Sequence, residues 1–377
     1  MNDILIIAGE ASGDTLGSGF VKEFLDLKPE YNFFGLGGDK MKLSGVDLTY
    51  HIKDLAIFGF WEVVKNIRFI KKVQRDIIKQ VDELKPAMAV LIDYPGFNLR
   101  LAPQLKKRGI KVFYYISPQI WAWGAGRIKK IKKYVDFMIV IFEFEKKIYE
   151  DAGVPVDWVG HPLLDEISIG SSYEEFLRDG NLKADDIPIG LFPGSREQEV
   201  KRILPEMLYA LELISIGYPK VKGIIGKAPA LDFGFYDQIM KQSKHHLPIY
   251  NASNYDLMAH ARLNIVCSGT ATLESGIIGT PLLIVYKTSP LTYWIARSLI
   301  KIPNIGMVNV VAGKDVVPEL IQDECNANKI AEKTLRFLND ENYYNSVKAQ
   351  LSDIRSKLGE SGAARRAAEI AIGVIAQ

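Results

Sequence analysis

Cysteine is nearly missing from these 377 residues: Cys267 and Cys325 are the only two. They are too few and wrongly spaced for a disulfide framework or a zinc site. The five histidines show no ligand spacing and no HExxH occurs, which sets aside zinc hydrolases. No apolar run reaches the roughly 18 residues of a membrane span. The opening MNDILIIAGEASGD lacks a basic n-region and a cleavage site, so a cytoplasmic protein that is not exported is expected, with a peripheral membrane role left open. An excess of charge is lacking too: 47 basic against 45 acidic residues leave +2, with no global attraction for nucleic acid. GxxxxGK[ST] is absent, which excludes a P-loop nucleotidase. So is the D-x-D pair that commonly holds a divalent ion on a sugar diphosphate, and neither a metal nor a cofactor is expected.

What is present is alternation. At about 100 to 200 residues per domain the length suits two domains. Short apolar runs, each followed by a Gly, Ser or Pro turn and an amphipathic stretch, read as parallel strands joined by helices. Strands are expected at 4–8, 88–93, 111–116, 137–142 and 156–159, then at 187–192, 221–225, 264–266 and 282–285. The polar stretch after Pro162, LLDEISIGSSYEEFLRDGNLKADDIP, reads as a linker. The fold class is therefore α/β, two doubly wound parallel-sheet (Rossmann-like) domains. The boundaries expected are 1–163, 164–345 and a C-terminal helical segment 346–377 that packs back on the first domain.

Ligands in such sheets sit beyond the carboxyl ends of the strands, and four segments there carry chemistry. Gly9-Glu10-Ala11-Ser12-Gly13-Asp14 ends the first strand with small residues and two carboxylates; it reads equally as a ligand loop or a capped turn. It lacks the GxGxxG spacing of dinucleotide folds. Asp93 ends the apolar run AVLID, where a half-shielded carboxylate would have a raised pKa and act as a general base, or else cap a helix. Gly194-Ser195-Arg196 offers main-chain donors, a hydroxyl and a fixed cation. Ser268-Gly269-Thr270 opens another helix, with Glu274 a turn further in to accept ribose hydroxyls. Two anion-friendly helix starts in one domain favour a nucleotide diphosphate.

AGEASGD at 8–14, GLGGDKM at 35–41, LIDYPGFN at 91–98, YYISPQIWAW at 114–123, VGHPL at 159–163, FPGSREQEV at 192–200 and SGTATLE at 268–274 together resemble the lipid-A-disaccharide synthase family. The match runs in order from residue 1 to about 325. The resemblance implies a GT-B type fold, its two domains facing a cleft. It also implies an inverting, metal-independent transfer of 2,3-diacylglucosamine from its UDP derivative to 2,3-diacylglucosamine 1-phosphate, forming a β-1,6 disaccharide and UDP. By the same resemblance Asp93 is the base and Glu10 lies in the cleft. Gly194, Ser195, Arg196, Ser268, Gly269, Thr270, Glu274, Asn309 and Gln322 face UDP, while Ser12, Asn98, Trp123 and His161 lie toward the acceptor. His161, in its VGHP turn, either presents an imidazole to the cleft or joins the two domains, and the structural reading is the one favoured. Gly96, Gly124 and Glu143 depart from the family pattern, which puts the acceptor-phosphate contacts in question. The alternatives are another UDP-N-acetylglucosamine enzyme of the same fold, such as a peptidoglycan glycosyltransferase or a 2-epimerase, or a non-catalytic sugar-nucleotide-binding protein at a membrane surface.

A diacylated substrate brings in the membrane. Pulling two chains of about a dozen methylenes from a bilayer would cost up to roughly 20 kcal/mol, so the enzyme is expected peripherally on the inner face of the inner membrane. Read as a helix, 60–80 places Trp61, Lys65, Arg68, Lys72, Arg75 and Lys79 in one stripe opposite Ile70 and Ile77. The stripe is either a solvated face or a contact with anionic lipid. Trp294 and Arg297 form a second candidate contact.

Overall fold

Every residue of Ile4–Ala8 and of Met88–Ile92 is fully buried, as in parallel strands covered on both faces. The computed structural model describes residues 2–56, 67–122, 124–243, 246–290, 293, 297 and 304–376. It forms two units, Met1–Asp165 with Leu358–Gln377, and Glu166–Lys357.

In the first unit β1 (Asp3–Ala8), β2 (Asn32–Gly37), β3 (Val46–His51), β4 (Met88–Ile92), β5 (Lys111–Tyr115), β6 (Phe137–Val140) and β7 (Val156–Trp158) form one sheet in the order β3-β2-β1-β4-β5-β6-β7. All its pairings are parallel. Its helices include α1 (Ala11–Leu27), α2 (Asp39–Leu43), α3 (Ile67–Leu84), α4 (Pro95–Lys106), α5 (Ile128–Tyr134) and α6 (Glu143–Asp151). Alternate residues of β1 serve opposite faces, as the two-residue strand period requires. Ile4 and Ile6 pack with Phe20 and Phe24 of α1 and with Ala367 and Ala371 of the C-terminal helix Ala363–Ala376. Leu5 and Ile7 pack with Val73 and Ile77 of α3, Leu105 of α4 and Ile131 of α5.

The chain re-enters this unit at Leu358, whose carbonyl accepts the His161 N–H at 2.8 Å. The Arg366 guanidinium donates twice to the Val159 carbonyl, at 2.9 and 2.7 Å. Residues 346–357, expected with the returning segment, belong instead to the second unit. There the helix Glu341–Lys357 buries Val347, Leu351 and Ile354 beside Thr270–Ile278 and Met307–Ala312.

The second sheet comprises β8 (Ile187–Phe192), β9 (Val221–Gly226), β10 (Ile249–Tyr250), β11 (Leu263–Cys267), β12 (Leu282–Tyr286) and β13 (Glu319–Ile321), in the order β10-β9-β8-β11-β12-β13. It too is parallel throughout. The four strands absent from the sequence reading are β2, β3, β10 and β13. The last two have two and three residues, and β2 carries two glycines in NFFGLG, so none presents a long apolar run.

Each sheet has one point where neighbouring strands lead off in opposite directions: β1 beside β4, and β8 beside β11. The loops that follow these four strands are the four singled out from sequence, and such a crevice is where doubly wound sheets bind ligands.

The first of those loops is braced by Asp14. Its buried carboxylate accepts the Gly38, Lys40 and Met41 N–H groups at 2.7, 3.1 and 3.0 Å, capping α2 from a neighbouring helix. Asp14→Ala is expected to lower the unfolding free energy by about 2–4 kcal/mol, because three donors, two of them buried, lose a charged acceptor. Urea denaturation reads this directly, and a loss below about 0.5 kcal/mol, the scale of ordinary surface changes, would refute it.

Candidate active site

The β1–β4 register pairs Ala8 with Ile92, so Gly9-Glu10 and Asp93-Tyr94 leave the sheet side by side. The Tyr94 ring lies over Gly9, where a Cβ would stand 2.2 Å from a ring carbon; only glycine admits that approach. Glu10 occupies the N-cap position of α1 and is exposed. Asp93 and Tyr94 both lie in the left-handed region, at φ 40 and 42, and Ile116 just beyond β5 is at φ 69. For a β-branched or bulky residue this backbone is unusual. Each such residue costs on the order of 1–3 kcal/mol, a kind of strain that gathers at functional sites.

Burial pushes the Asp93 carboxyl up to about 6, and the like charge of Glu10 adds to the effect. A backbone hydrogen bond at Tyr94 and the positive charge of Arg127 act the other way. A carboxylate titrating near neutrality suits a general base. Arg127 was not singled out from sequence. It ends a short turn, Ala125–Arg127, and its stem lies over Gly124, where a Cβ would stand 3.3 Å from its Nε. The one available signal was the departure at Gly124 itself, three residues before it.

The acceptor-side expectations fare unevenly. Ser12 is exposed on the first turn of α1. Asn98 is fully buried, and its amide nitrogen donates to the carbonyls of Ile92 and Asp93 at 3.1 and 2.8 Å. It supports the turn from inside and is not placed to touch an acceptor. His161 is buried, and burial lowers its imidazole to about 4. Its Nδ1 accepts the Leu163 N–H at 3.2 Å and its ring packs on Phe142 at 5.0 Å; its place is structural. Trp123 lies outside the described residues. The buried Glu145 carboxyl, raised by burial to about 7, anchors that block by accepting from Ser117 Oγ at 2.8 Å and Trp121 Nε1 at 2.9 Å. Of the departures, Gly96 has open space where a Cβ would stand and Glu143 is exposed at the start of α6.

In the second unit Gly194, Ser195, Arg196, Ser268, Gly269, Thr270 and Glu274 line one cavity of about 370 Å³. It lies beyond the carboxyl ends of β8 and β11, where α7 (Glu197–Gly217) and α8 (Thr270–Ile278) begin. First-turn N–H groups lack intrahelical acceptors and attract anions. Glu199, unremarked in the sequence, accepts the Ser195 and Arg196 N–H groups at 3.1 and 3.2 Å and the Arg196 guanidinium at 3.1 Å. A carboxylate thus already answers the FPGSR turn from within. Gly194, at φ 127, packs against it, and a Cβ there would meet the Glu199 Cβ at 2.7 Å. Glu274 is pushed up to about 7, by burial first and by the Glu166 charge second. It also lines an adjoining cavity of about 430 Å³ formed with Lys227, Tyr250, Asn251 and Tyr255, which the sequence reading missed. The largest cavity described, about 550 Å³ around Leu182, Leu208, Val221 and Pro248, lies at the amino ends of the strands and contains none of these residues.

Two residues expected to face UDP do not line this cavity. Asn309 is buried; its amide donates to the Val317 carbonyl and Glu319, and accepts the Val316 and Val317 N–H groups. Every polar position on that side chain is answered internally, which makes it a strut of its own turn. Gln322 brackets the Thr288 backbone, accepting its N–H at 2.7 Å and donating to its carbonyl at 3.3 Å.

Along α3, Arg68, Lys72, Arg75 and Lys79 are exposed, while Val73, Ile77 and Val81 are buried. Arg297 is exposed and donates to Tyr293 Oη at 2.9 Å. Trp61, Lys65 and Trp294 lie outside the described residues.

The electrostatics at Asp93 carry a signed prediction. Removing the like charge in Glu10→Gln lowers the Asp93 pKa from about 6, and removing the opposite charge in Arg127→Gln raises it. Carboxyl carbon NMR across the titration reads both shifts; a shift in the opposite direction in either variant would overturn the charge arrangement.

The family model described as lipid-A-disaccharide synthetase matches residues 4–372. A lipid-A-disaccharide synthase of Syntrophus aciditrophicus is 44% identical over 373 residues, covering 99% of this chain and 97% of that protein. One of Geobacter metallireducens is 41% identical over 372 residues, covering 99% and 97%. Among solved structures, the UDP-GlcNAc 2-epimerase of Neisseria meningitidis, bound to UDP-GlcNAc, aligns with a TM-score of 0.62 at 14% identity over 99% of both chains. The calicheamicin glycosyltransferase aligns with a TM-score of 0.61 at 14% identity over 99% of this chain and 98% of its own. These likenesses establish the two-sheet fold of GT-B glycosyltransferases and epimerases. With a family model spanning nearly the whole chain, and relatives alike along their full length, the chain belongs to the lipid-A-disaccharide synthase family.

Proposed function

We propose that this chain transfers 2,3-diacylglucosamine from its UDP derivative to 2,3-diacylglucosamine 1-phosphate, forming the β-1,6 disaccharide 1-phosphate and releasing UDP. Membership of the family carries this reading. The placing of Asp93 and of the Ser195 and Ser268 turns at the two switch points supports it.

In this reading Asp93 takes the proton of the acceptor's 6-hydroxyl as its oxygen attacks the anomeric carbon of the donor. The bond from that carbon to the diphosphate breaks, its electron pair leaves with UDP, and the configuration inverts. Burial of Asp93 keeps its proton affinity high enough for the task. Charge growing on the departing diphosphate meets Arg196 and the first-turn N–H groups of α7 and α8. A diphosphate displaces Glu199 from the Ser195 and Arg196 N–H groups or shares them with it, since that carboxylate is already bonded to both. Glu274 receives the ribose hydroxyls, and the cavity over Tyr250–Tyr255 lies beside it for the base. On the acceptor side Arg127 supplies a cation near Asp93 for the sugar phosphate.

Asp93→Asn is expected to cut turnover at least about 100-fold while UDP affinity stays within a few-fold, because the carboxylate acts on the acceptor. Arg196→Ala should weaken UDP binding and rate together, because it meets charge present before the transition state as well as in it. Initial rates of UDP release and UDP titration measure both. Near-normal turnover in Asp93→Asn would dismiss the base, and unchanged UDP affinity in Arg196→Ala would dismiss the cation.

The diacylated substrates place this chemistry at a membrane surface. Among the described residues no helix is long and apolar enough to cross one, and the exposed stripe of α3 is the contact proposed. Basic side chains near an anionic leaflet contribute on the order of 1 kcal/mol each. Lys65→Glu, Arg68→Glu and Lys72→Glu combined should release the protein from anionic phospholipid vesicles in flotation, as should high salt for the wild type. UDP binding should persist. Equal flotation of variant and wild type at low salt would make the stripe a solvated face.

A further inference from the structure

The turn that carries Asp93 is not held by its own sequence. Two consecutive non-glycine residues in the left-handed region, Asp93 at φ 40 and Tyr94 at φ 42, persist only where surrounding contacts over-determine them. Those contacts converge on one atom. The Asp93 carbonyl oxygen accepts Tyr114 Oη at 2.6 Å and Asn98 Nδ2 at 2.8 Å, which fills both of its lone pairs. The same Asn98 nitrogen donates to the Ile92 carbonyl at 3.1 Å, and the Asp93 N–H is tied to the Tyr115 carbonyl at 3.0 Å.

Tyr114 and Asn98 are fully buried, so neither reaches a substrate. Tyr114 belongs to the apolar cluster beneath the sheet, where its ring alone would fill the space; its hydroxyl goes to the loop. Burial holds that phenol well above its ordinary range, so it remains a donor. The following residue is fixed as well: the Tyr94 ring is stacked on Phe97 at 5.7 Å and 22° and pressed against Gly9.

We propose that Tyr114 and Asn98 are the positioning residues of the reaction: by clamping the Asp93 carbonyl they hold the left-handed turn, and the turn aims the carboxylate at the acceptor hydroxyl. This rests on the reading of Asp93 as the base. A small misplacement of a catalytic group is enough to cost a large factor in rate without altering the nucleotide site.

A double-mutant cycle tests it. Tyr114→Phe and Asn98→Leu, which keep the shape of the buried side chain, are each made alone and together with Asp93→Asn. For every variant kcat, the acceptor KM and the UDP Kd are measured, below the unfolding midpoint that each shows in a thermal melt. Each single variant should lose roughly 10- to 100-fold in kcat, with KM and Kd within about 2-fold. Neither should lower the residual rate of Asp93→Asn further, because a positioning residue has nothing left to position. An equal loss in both backgrounds makes the pair merely structural and overturns the proposal, as does full activity in Tyr114→Phe and Asn98→Leu while Asp93→Asn is impaired. If Asp93→Asn itself turns over normally, it is the assignment of the base that fails, and the positioning role falls with it.

Discussion

Where two neighbouring parallel strands send their connections to opposite faces of a sheet, the loops diverge and leave a crevice that no side chain of the sheet fills. This happens once in each sheet here, between β1 and β4 and between β8 and β11, and the proposed chemistry is arranged around those two gaps. Strand register does the placing. Because Ala8 lies opposite Ile92, Glu10 and Asp93 leave close enough for one charge to act on the other. Because Val266 and Phe192 both lie opposite each other at the end of the second sheet, the Ser195 and Ser268 turns open on one cavity.

The two crevices differ in kind. The first is organised around a carboxylate that burial and a like charge make reluctant to ionise, and the main chain under it is strained. The second is organised around helix-start N–H groups and an arginine, which favour an anion without asking it to react. Glu199 belongs to this contrast. A turn built to receive negative charge would leave donors exposed when empty, and a carboxylate from the first turn of its own helix answers them. In the proposed reaction an entering diphosphate would gain the difference between two anions rather than the whole interaction, which would temper the affinity for a product that must leave.

Strands buried on both faces were legible in the sequence because only largely apolar runs serve there; the expected and observed limits of β8 coincide, and those of β1 differ by one residue. The short β10 and β13 were not, since two or three residues make no pattern. The positions of Asp93 and Arg196 just beyond strand ends at the two switch points were also legible. Asn98, Asn309 and Gln322, which the resemblance placed toward ligands, are bonded to nearby backbone, as is His161, for which a structural reading was already open. A polar side chain near a motif looks like a ligand group, and sequence does not reveal that its hydrogen bonds are already made to the backbone. Tyr114 is the converse case: it reads as one more aromatic in a core strand, and only the partner of its hydroxyl distinguishes it.

Fold alone would leave the reaction open, because an epimerase and a glycosyltransferase align with this chain equally well, at TM-scores of 0.62 and 0.61. Fold likeness of this kind carries no chemistry of its own. The nucleotide site proposed in the second unit would be common ground for any enzyme that uses a UDP-sugar, so it does not discriminate either. What must differ is the other unit, where transfer to a separate hydroxyl requires a base for a proton that belongs to a second molecule. Here the first unit provides a carboxylate near neutrality, held by an unusual turn and by two buried donors that serve no evident purpose in the core. Strain and buried polar groups are costs a domain of this size does not need for stability. Their concentration under Asp93 supports the role proposed for this carboxylate, independent of any likeness to a relative.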